Sequence, residues 1–264
     1  PAILKATENL PNKVLLNIPD LKERTDDPLK AVAQNLLDSY GESIVIIEAT
    51  GDIVISFGEQ SQTITQTFDG PSVVVNEQGL AVGPNFSNSI TQQITSQVRN
   101  QLGGAVEVNV VFEFKKLKMK LSDGTEIPAK LLFLDNDLNL CFIEPDFESE
   151  DAEEDIDEDL TFTPVNFTDD VEASVFEEVL MISRYGQDLD RALFVSQGRV
   201  SSIQRKPRLL YLTDVPNVSA AVFNKDANLV GFMAFNKGSQ GTVLLPVKTV
   251  RKSVEQFNAD NTID

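Results

Sequence analysis

The chemistry open to this chain is set first by a residue it lacks, since its 264 residues include no histidine. Histidine is the side chain that titrates near neutral pH without help. Its absence removes the usual general base and a common ligand of zinc and haem. No Ser-His-Asp or Cys-His arrangement can be assembled. Proton transfer is left to carboxylates, lysine and tyrosine. A polar segment, Ser183-Arg-Tyr-Gly-Gln-Asp-Leu-Asp-Arg191, offers Arg184, Tyr185 and Asp188 as candidates for binding or acid–base work, although an ordinary surface loop has the same composition. The single cysteine, Cys141, lies in the apolar run 138–143 and reads as a buried small hydrophobe. With no second cysteine an intrachain disulfide is impossible, and cysteine usage says nothing of redox compartment. Residues 144–159, EPDFESEDAEEDIDED, carry oxygens enough for calcium but not the ordered D-x-D-x-D-G spacing of an EF-hand. A solvated inter-domain loop is expected there, with calcium capture or a basic partner as alternatives. The basic run Gln204-Arg-Lys-Pro-Arg208 is expected at a hairpin tip, the alternative being internal docking against the acidic run.

Charge narrows the partners. Forty-one Asp and Glu against 22 Lys and Arg give a formal charge of −19 and a pI near 4.3. A phosphate backbone is held by lysine and arginine, so nucleic acid is excluded as a partner class, and an anionic membrane surface would repel the chain. No apolar stretch is long enough to span a bilayer. No metal or cofactor is expected. A protein or peptide of basic, cationic or neutral character is the expected partner, with the oligomeric state left open. Hydrophobic residues at 41% suffice for a packed core.

The elements that must position these groups are mostly strands. A helix is expected from Pro28 to Tyr40, with Asp27 as its cap, Pro28 at its first position and Gly41 at its end. Strands rich in Val, Ile, Thr and Phe follow at 43–49, 52–57, 62–68 and 72–76. A second helix is expected over 90–102, entered through a capping box of Ser89 and Gln92 and ended by Gly103-Gly104. Strands return at 106–114, 116–121, 129–134 and 139–143. Beyond the acidic run they recur at 178–183, 192–203, 209–213, 220–223, 229–235 and 242–245, and a helix over 247–257 closes the chain. Short strands with frequent turns predict two antiparallel β units flanking an acidic linker.

Several of these segments, in order, carry a family likeness. Residues 72–86, SVVVNEQGLAVGPNF, resemble a strand, a D-x-x-G turn and a second strand ending in T-N-x-H. Leu121-Ser-Asp-Gly-Thr-Glu-Ile-Pro-Ala-Lys130 followed by Leu134-Asp-Asn-Asp-Leu-Asn-Leu140 resembles a strand pair leading to the aspartate of D-L-A-L. Asn217-Val-Ser-Ala-Ala-Val-Phe-Asn-Lys-Asp226 with Leu229-Val-Gly231 is similar to G-N-S-G-G-P-V-F-N-x-D-G-x-V-V-G, and Leu245-Pro-Val-Lys-Thr-Val250 to I-P-V-x-T-V. Over residues 43–256 the chain therefore resembles the protease domain of HtrA/Deg-type trypsin-like serine proteases. The resemblance implies an all-β fold of two antiparallel barrels, with an N-terminal, an inserted and a C-terminal helix. It places the family's histidine on Phe86, its aspartate on Asp137 and its nucleophile on Val218, with Ser219 one place away. An oxyanion donor falls on Pro216, which has no N–H.

The resemblance thus implies a scaffold whose base, nucleophile and oxyanion donor are replaced together: a pseudoprotease acting by binding. Asp137 is expected to survive as a turn-closing carboxylate, and Phe86 and Val218 are expected to make the old centre apolar. Arg184, Tyr185 and Ser219 are the candidate binding residues bordering the cleft. An enzyme of other chemistry, or a structural subunit of an assembly, is the alternative. The expected organisation is a lead-in and helix over 1–42, a first barrel over 43–145, an acidic linker over 146–160, a second barrel with its closing helix over 161–257, and a tail. A start at Pro1 fits a removed leader, and with the resemblance it suggests an exported bacterial protein, periplasmic or extracellular.

Overall fold

The structure is a computed structural model that describes residues 28–101, 107–150, 160–236 and 241–261. The expected lead-in before residue 28, the Asp27 cap, the Gly103-Gly104 helix stop and the acidic positions 151–159 lie outside those residues. In chain order the elements are α1 (Pro28–Tyr40), β1 (Ile44–Phe57), β2 (Gln60–Val74), β3 (Ala81–Pro84), α2 (Phe86–Gln101), β4 (Val108–Lys120), β5 (Glu126–Asp135) and β6 (Leu140–Pro145). They continue as β7 (Glu178–Arg184), β8 (Leu193–Gln204), β9 (Leu210–Thr213), β10 (Ala220–Asn224), β11 (Leu229–Asn236), β12 (Gly241–Pro246) and α3 (Val247–Asn261). The first six strands close into one antiparallel barrel in the order β1-β2-β3-β6-β5-β4. The last six close into another in the corresponding order β7-β8-β9-β12-β11-β10. This is the all-β, two-barrel architecture of trypsin-like proteins, with its three helices N-terminal, inserted and C-terminal.

The residue pattern explains which strands meet. β4 alternates buried and exposed positions through Val108, Val110 and Phe112, so only one of its faces is covered. By contrast β6, β7, β10 and β12 read as continuous apolar runs, and each is buried on both faces. One set of their side chains fills a barrel interior, such as Cys141 and Ile143 in the first and Met181 and Val222 in the second. The other set, including Phe142, Ile182, Phe223 and Leu245, forms a third core between the barrels. Tyr40 of α1 stacks on Phe223 at 5.1 Å and Phe257 of α3 stacks on Phe133 at 4.3 Å, so both terminal helices seal that junction.

Three expectations are corrected. The separate strands at 43–49 and 52–57 are one strand, as are those at 62–68 and 72–76, because Gly51 and Gly70-Pro71 do not turn. Gly51 instead sits at a register shift between β1 and β4, where a Cβ would run into the Glu113 carbonyl and the Phe112 ring. Gly51→Ala is accordingly expected to destabilise the first barrel by about 2 kcal/mol, an overpacking effect readable as a lower urea midpoint. The strands at 106–114 and 116–121 likewise merge into β4. Finally, α2 begins at Phe86 rather than residue 90, with Asn85 as its cap. The Asn88 N–H donates to Asn85 Oδ1 at 3.1 Å and the Ser89 N–H to the Asn85 carbonyl at 3.1 Å, so Ser89 already lies within the helix.

Candidate functional site

The turn after β3 and the turn between β5 and β6 come together at the barrel junction, and asparagines join them. Asn85 is fully buried and donates from Nδ2 to Asn136 Oδ1 at 3.2 Å. Asn88 donates to both Asn136 Oδ1 at 3.1 Å and Asn139 Oδ1 at 2.9 Å. Asn139 in turn donates to the Phe235 carbonyl of the second barrel at 3.1 Å, while its own carbonyl accepts the Asn85 N–H at 3.1 Å. Asn139 holds a positive φ of 59°, a conformation asparagine tolerates better than most residues. Phe235 pairs across the ladder with Thr242, whose hydroxyl donates to Asn217 Oδ1 at 2.6 Å. A path of amides therefore runs from α2 to the β9–β10 loop. Amides neither accept nor release protons near neutral pH, so it fixes geometry without offering a base. The sequence reading passed over these residues; the signal was the repeated i, i+3 spacing of Asn85/Asn88 and Asn136/Asn139 on either side of Phe86 and Asp137.

The positions assigned by resemblance lie along this path with altered surroundings. Phe86, only 5% exposed, packs into the first-barrel core, its ring over Gly70, and Val218 packs against the second-barrel core. The Phe86 ring is therefore withheld from a ligand inside the first barrel, whereas Val218 stays only partly buried at the edge of the second-barrel core. Asp137 does not close its turn. Asp135 does so, its Oδ1 accepting the N–H groups of Asp137 at 2.9 Å and Leu138 at 2.8 Å. The Asp137 side chain is 89% exposed, with its nearest cation Arg208 at 3.9 Å. Around Val218 the backbone turns tightly, and the Val218 N–H donates to the Pro216 carbonyl at 3.0 Å. Of the two oxyanion donors the resemblance assigns, Pro216 has no N–H and Val218 spends its own inside the loop.

The candidate binding residues have structural partners. Arg184, half-buried, donates from Nε to the Ile44 carbonyl at 2.6 Å, and through its terminal nitrogens to the Gly41 carbonyl at 3.0 Å and the Arg191 carbonyl at 3.3 Å. Burial pulls its guanidinium below the ordinary arginine value. Tyr185 stacks on Phe194 at 4.3 Å with its ring partly in solvent, and Asp188 is exposed. The Ser219 carbonyl accepts the Ser183 hydroxyl at 2.7 Å. Burial pushes the Cys141 thiol up to about 12, which suits an inert core residue. Residues 204–208 form the tip of the β8–β9 hairpin, as expected. From it Arg208 reaches the first barrel and donates to the Asp137 carbonyl at 3.0 Å.

Arg208 and the 136–138 turn separate two hollows. One of about 670 Å³ lies against α3, with Asp135, Lys252, Gln256 and Phe257 on its walls. The other, about 300 Å³, lies against the second barrel, with Asn139, Gln204, Phe235 and Val243. Among the described residues no three acidic or cysteine side chains gather into a metal-binding set, and no helix is long and apolar enough to cross a membrane. No protein-family model matches the chain, and no curated protein matches it either.

Proposed function

We propose that this chain is a non-catalytic, HtrA-like trypsin-fold protein that binds an extended peptide or protein segment in the cleft between its barrels. The observation that carries the reading is the β9–β10 loop. The Val218 N–H is held by the Pro216 carbonyl, and Pro216 supplies no donor, so an oxyanion would meet no preset N–H pair. A serine without an adjacent base is a weak nucleophile, and the chain has no histidine to serve as one. The two hollows on either side of Arg208 remain as concave, mixed-polarity surface at the domain junction, the usual place for a ligand. Export to the periplasm or cell exterior belongs to the same reading and rests on the family likeness.

Arg208 faces both hollows from an exposed hairpin tip, which makes it the residue to change. Peptides selected from a random library against the full chain are expected to bind at least tenfold more weakly to Arg208→Glu, measured by calorimetry, while labelled casein stays intact. Selected peptides that bind the variant equally well would place recognition elsewhere. Casein cleavage by wild type that disappears in Val218→Ala would refute the non-catalytic reading.

A further inference from the structure

β2 is a long strand with one side left open. It pairs with β1 along its whole length from Gln60, but with β3 only at Val73 and Val74. The Val74 N–H donates to the Ser43 carbonyl at 2.8 Å, and the β1–β2 register runs without a shift. In an antiparallel ladder the backbone groups of alternate residues point to alternate sides. Even-numbered residues of β2 therefore bond to β1. The N–H and C=O groups of Ser61, Thr63, Thr65, Thr67 and Asp69 point outward. Among the described residues no strand takes them up. Pro71, which has no N–H to offer, occupies the next outward position and ends the stretch.

Such an edge is a template for strand pairing, and proteins usually blunt it with lysine, proline or a bulge. Residues 60–68 here read Gln-Ser-Gln-Thr-Ile-Thr-Gln-Thr-Phe, with no charge, no proline and no bulge, and residues 60–67 are all exposed. In a chain of net charge −19 this is a neutral window through which two like-charged molecules can approach. The segment also reads nearly the same in both directions about Ile64. Thr63 mirrors Thr65, Gln62 mirrors Gln66, and Ser61 mirrors Thr67.

From these observations we infer that the β2 edge pairs with the β2 edge of a second copy of this chain, antiparallel and centred on Ile64, giving a two-fold symmetric dimer. In that register Thr63 faces Thr65 of the second copy and Ser61 faces Thr67. All four are outward-facing positions, so each facing pair exchanges two backbone hydrogen bonds, about eight across the interface. Ile64 faces itself at a non-hydrogen-bonded position on the axis, where side chains lie closest. Threonine and serine facing threonine are favourable cross-strand neighbours. Opposed like charges would occur only at the ends, between Glu59 and Asp69, and Asp69 is already paired with Arg191 at 3.2 Å. An interface of one patch with itself closes after two copies and leaves no further edge.

Sedimentation velocity on the full chain at micromolar concentration is expected to give a particle of twice the 29.1 kDa chain mass. Ile64 is 41% exposed, so Ile64→Lys leaves the barrel packed while setting two lysines face to face. It is expected to sediment at the single-chain mass with an unchanged circular dichroism spectrum. Mixing Ile64→Lys with Ile64→Glu is expected to restore the double mass, an outcome that misfolding could not produce. Ile64→Cys adds an independent readout. Non-hydrogen-bonded pairs have Cα atoms about 4.5 Å apart, within disulfide range, and the native Cys141 is buried. Oxidised Ile64→Cys is expected to run as a reducible dimer, and Thr67→Cys as a monomer, because its two copies would lie about 20 Å apart. A single-chain mass for wild type, a double mass for Ile64→Lys, no recovery on mixing or no disulfide at position 64 would each overturn the inference.

Discussion

Arg184→Met is expected to lower the unfolding free energy by about 3–4 kcal/mol and Tm by about 10 °C. Arg184 closes β7 of the second barrel, yet its guanidinium reaches into the first. Its Nε and one terminal nitrogen bind the carbonyls of Ile44 and Gly41, the backbone that leads from α1 into β1. Its other terminal nitrogen ties down the Arg191 carbonyl at 3.3 Å. Hydrogen bonds from a charged donor are worth about 1.5–3 kcal/mol each, and partial exposure of the group reduces their sum. Gly41 and Ile44 are buried, so the abandoned carbonyls lose a partner without gaining free access to water. Methionine keeps the stem volume and no donor, which isolates the hydrogen bonds from packing. Arg184→Lys is expected to recover less than half, since one ammonium cannot reproduce the planar fork. Tyr185→Ala, beside it, removes only a stacked and partly solvated ring and is expected to cost about 1 kcal/mol. Guanidinium denaturation of the three variants checks the order. A loss for Arg184→Met below that for Tyr185→Ala would show that the barrels are not clamped at this residue.

Arg184 also illustrates what the sequence displayed and what it concealed. Its place in a polar stretch made it look available to a ligand, because local composition does not reveal a carbonyl more than a hundred positions away. The strands themselves were legible from their residues. Runs rich in apolar and β-branched residues such as Val179–Ile182, Ala220–Phe223 and Val108–Phe112 marked strands, and their burial shows which are covered on both faces. Their antiparallel class followed from the frequent turns, and their grouping into two units from the acidic run that divides them. Misreadings came where glycine and proline serve close approach rather than chain reversal. Gly51 lies under the Phe112 ring at a register shift, and Pro71 turns its missing N–H to the open edge of β2. The family likeness assigns the turn-closing role to Asp137, but the aspartate that closes the turn is Asp135, two residues earlier. Asn85, Asn88, Asn136 and Asn139 carry no local signal of their role, because asparagine is common in loops. Their role depends on two turns meeting at the barrel junction, which no single segment encodes.

Placing a histidine and a serine at the two positions that the family likeness assigns is not expected to produce hydrolysis: a chain carrying both Phe86→His and Val218→Ser should cleave labelled casein no faster than wild type. The substituted imidazole would enter a slot 5% exposed among first-barrel side chains, where burial disfavours its charged form and turns it away from solvent. Nothing would orient it, since the Asp137 carboxyl is 89% exposed beside Arg208 and the nearby amides are engaged with one another. The new serine would inherit a backbone N–H that donates to the Pro216 carbonyl at 3.0 Å, with no N–H at position 216 itself. Loss of one oxyanion donor lowers turnover by about 100- to 1,000-fold, and here both are withheld before the base is considered. Replacing phenylalanine by a buried imidazole is also expected to destabilise the first barrel by about 2–3 kcal/mol, visible as a lower Tm. Adding Pro216→Gly separates the causes, because glycine restores a donor and frees the loop to open. Turnover that appears only in the triple variant would identify the loop backbone as the decisive block. Turnover in the double variant would mean that the loop opens on binding substrate, and that its backbone is no barrier to hydrolysis on this scaffold.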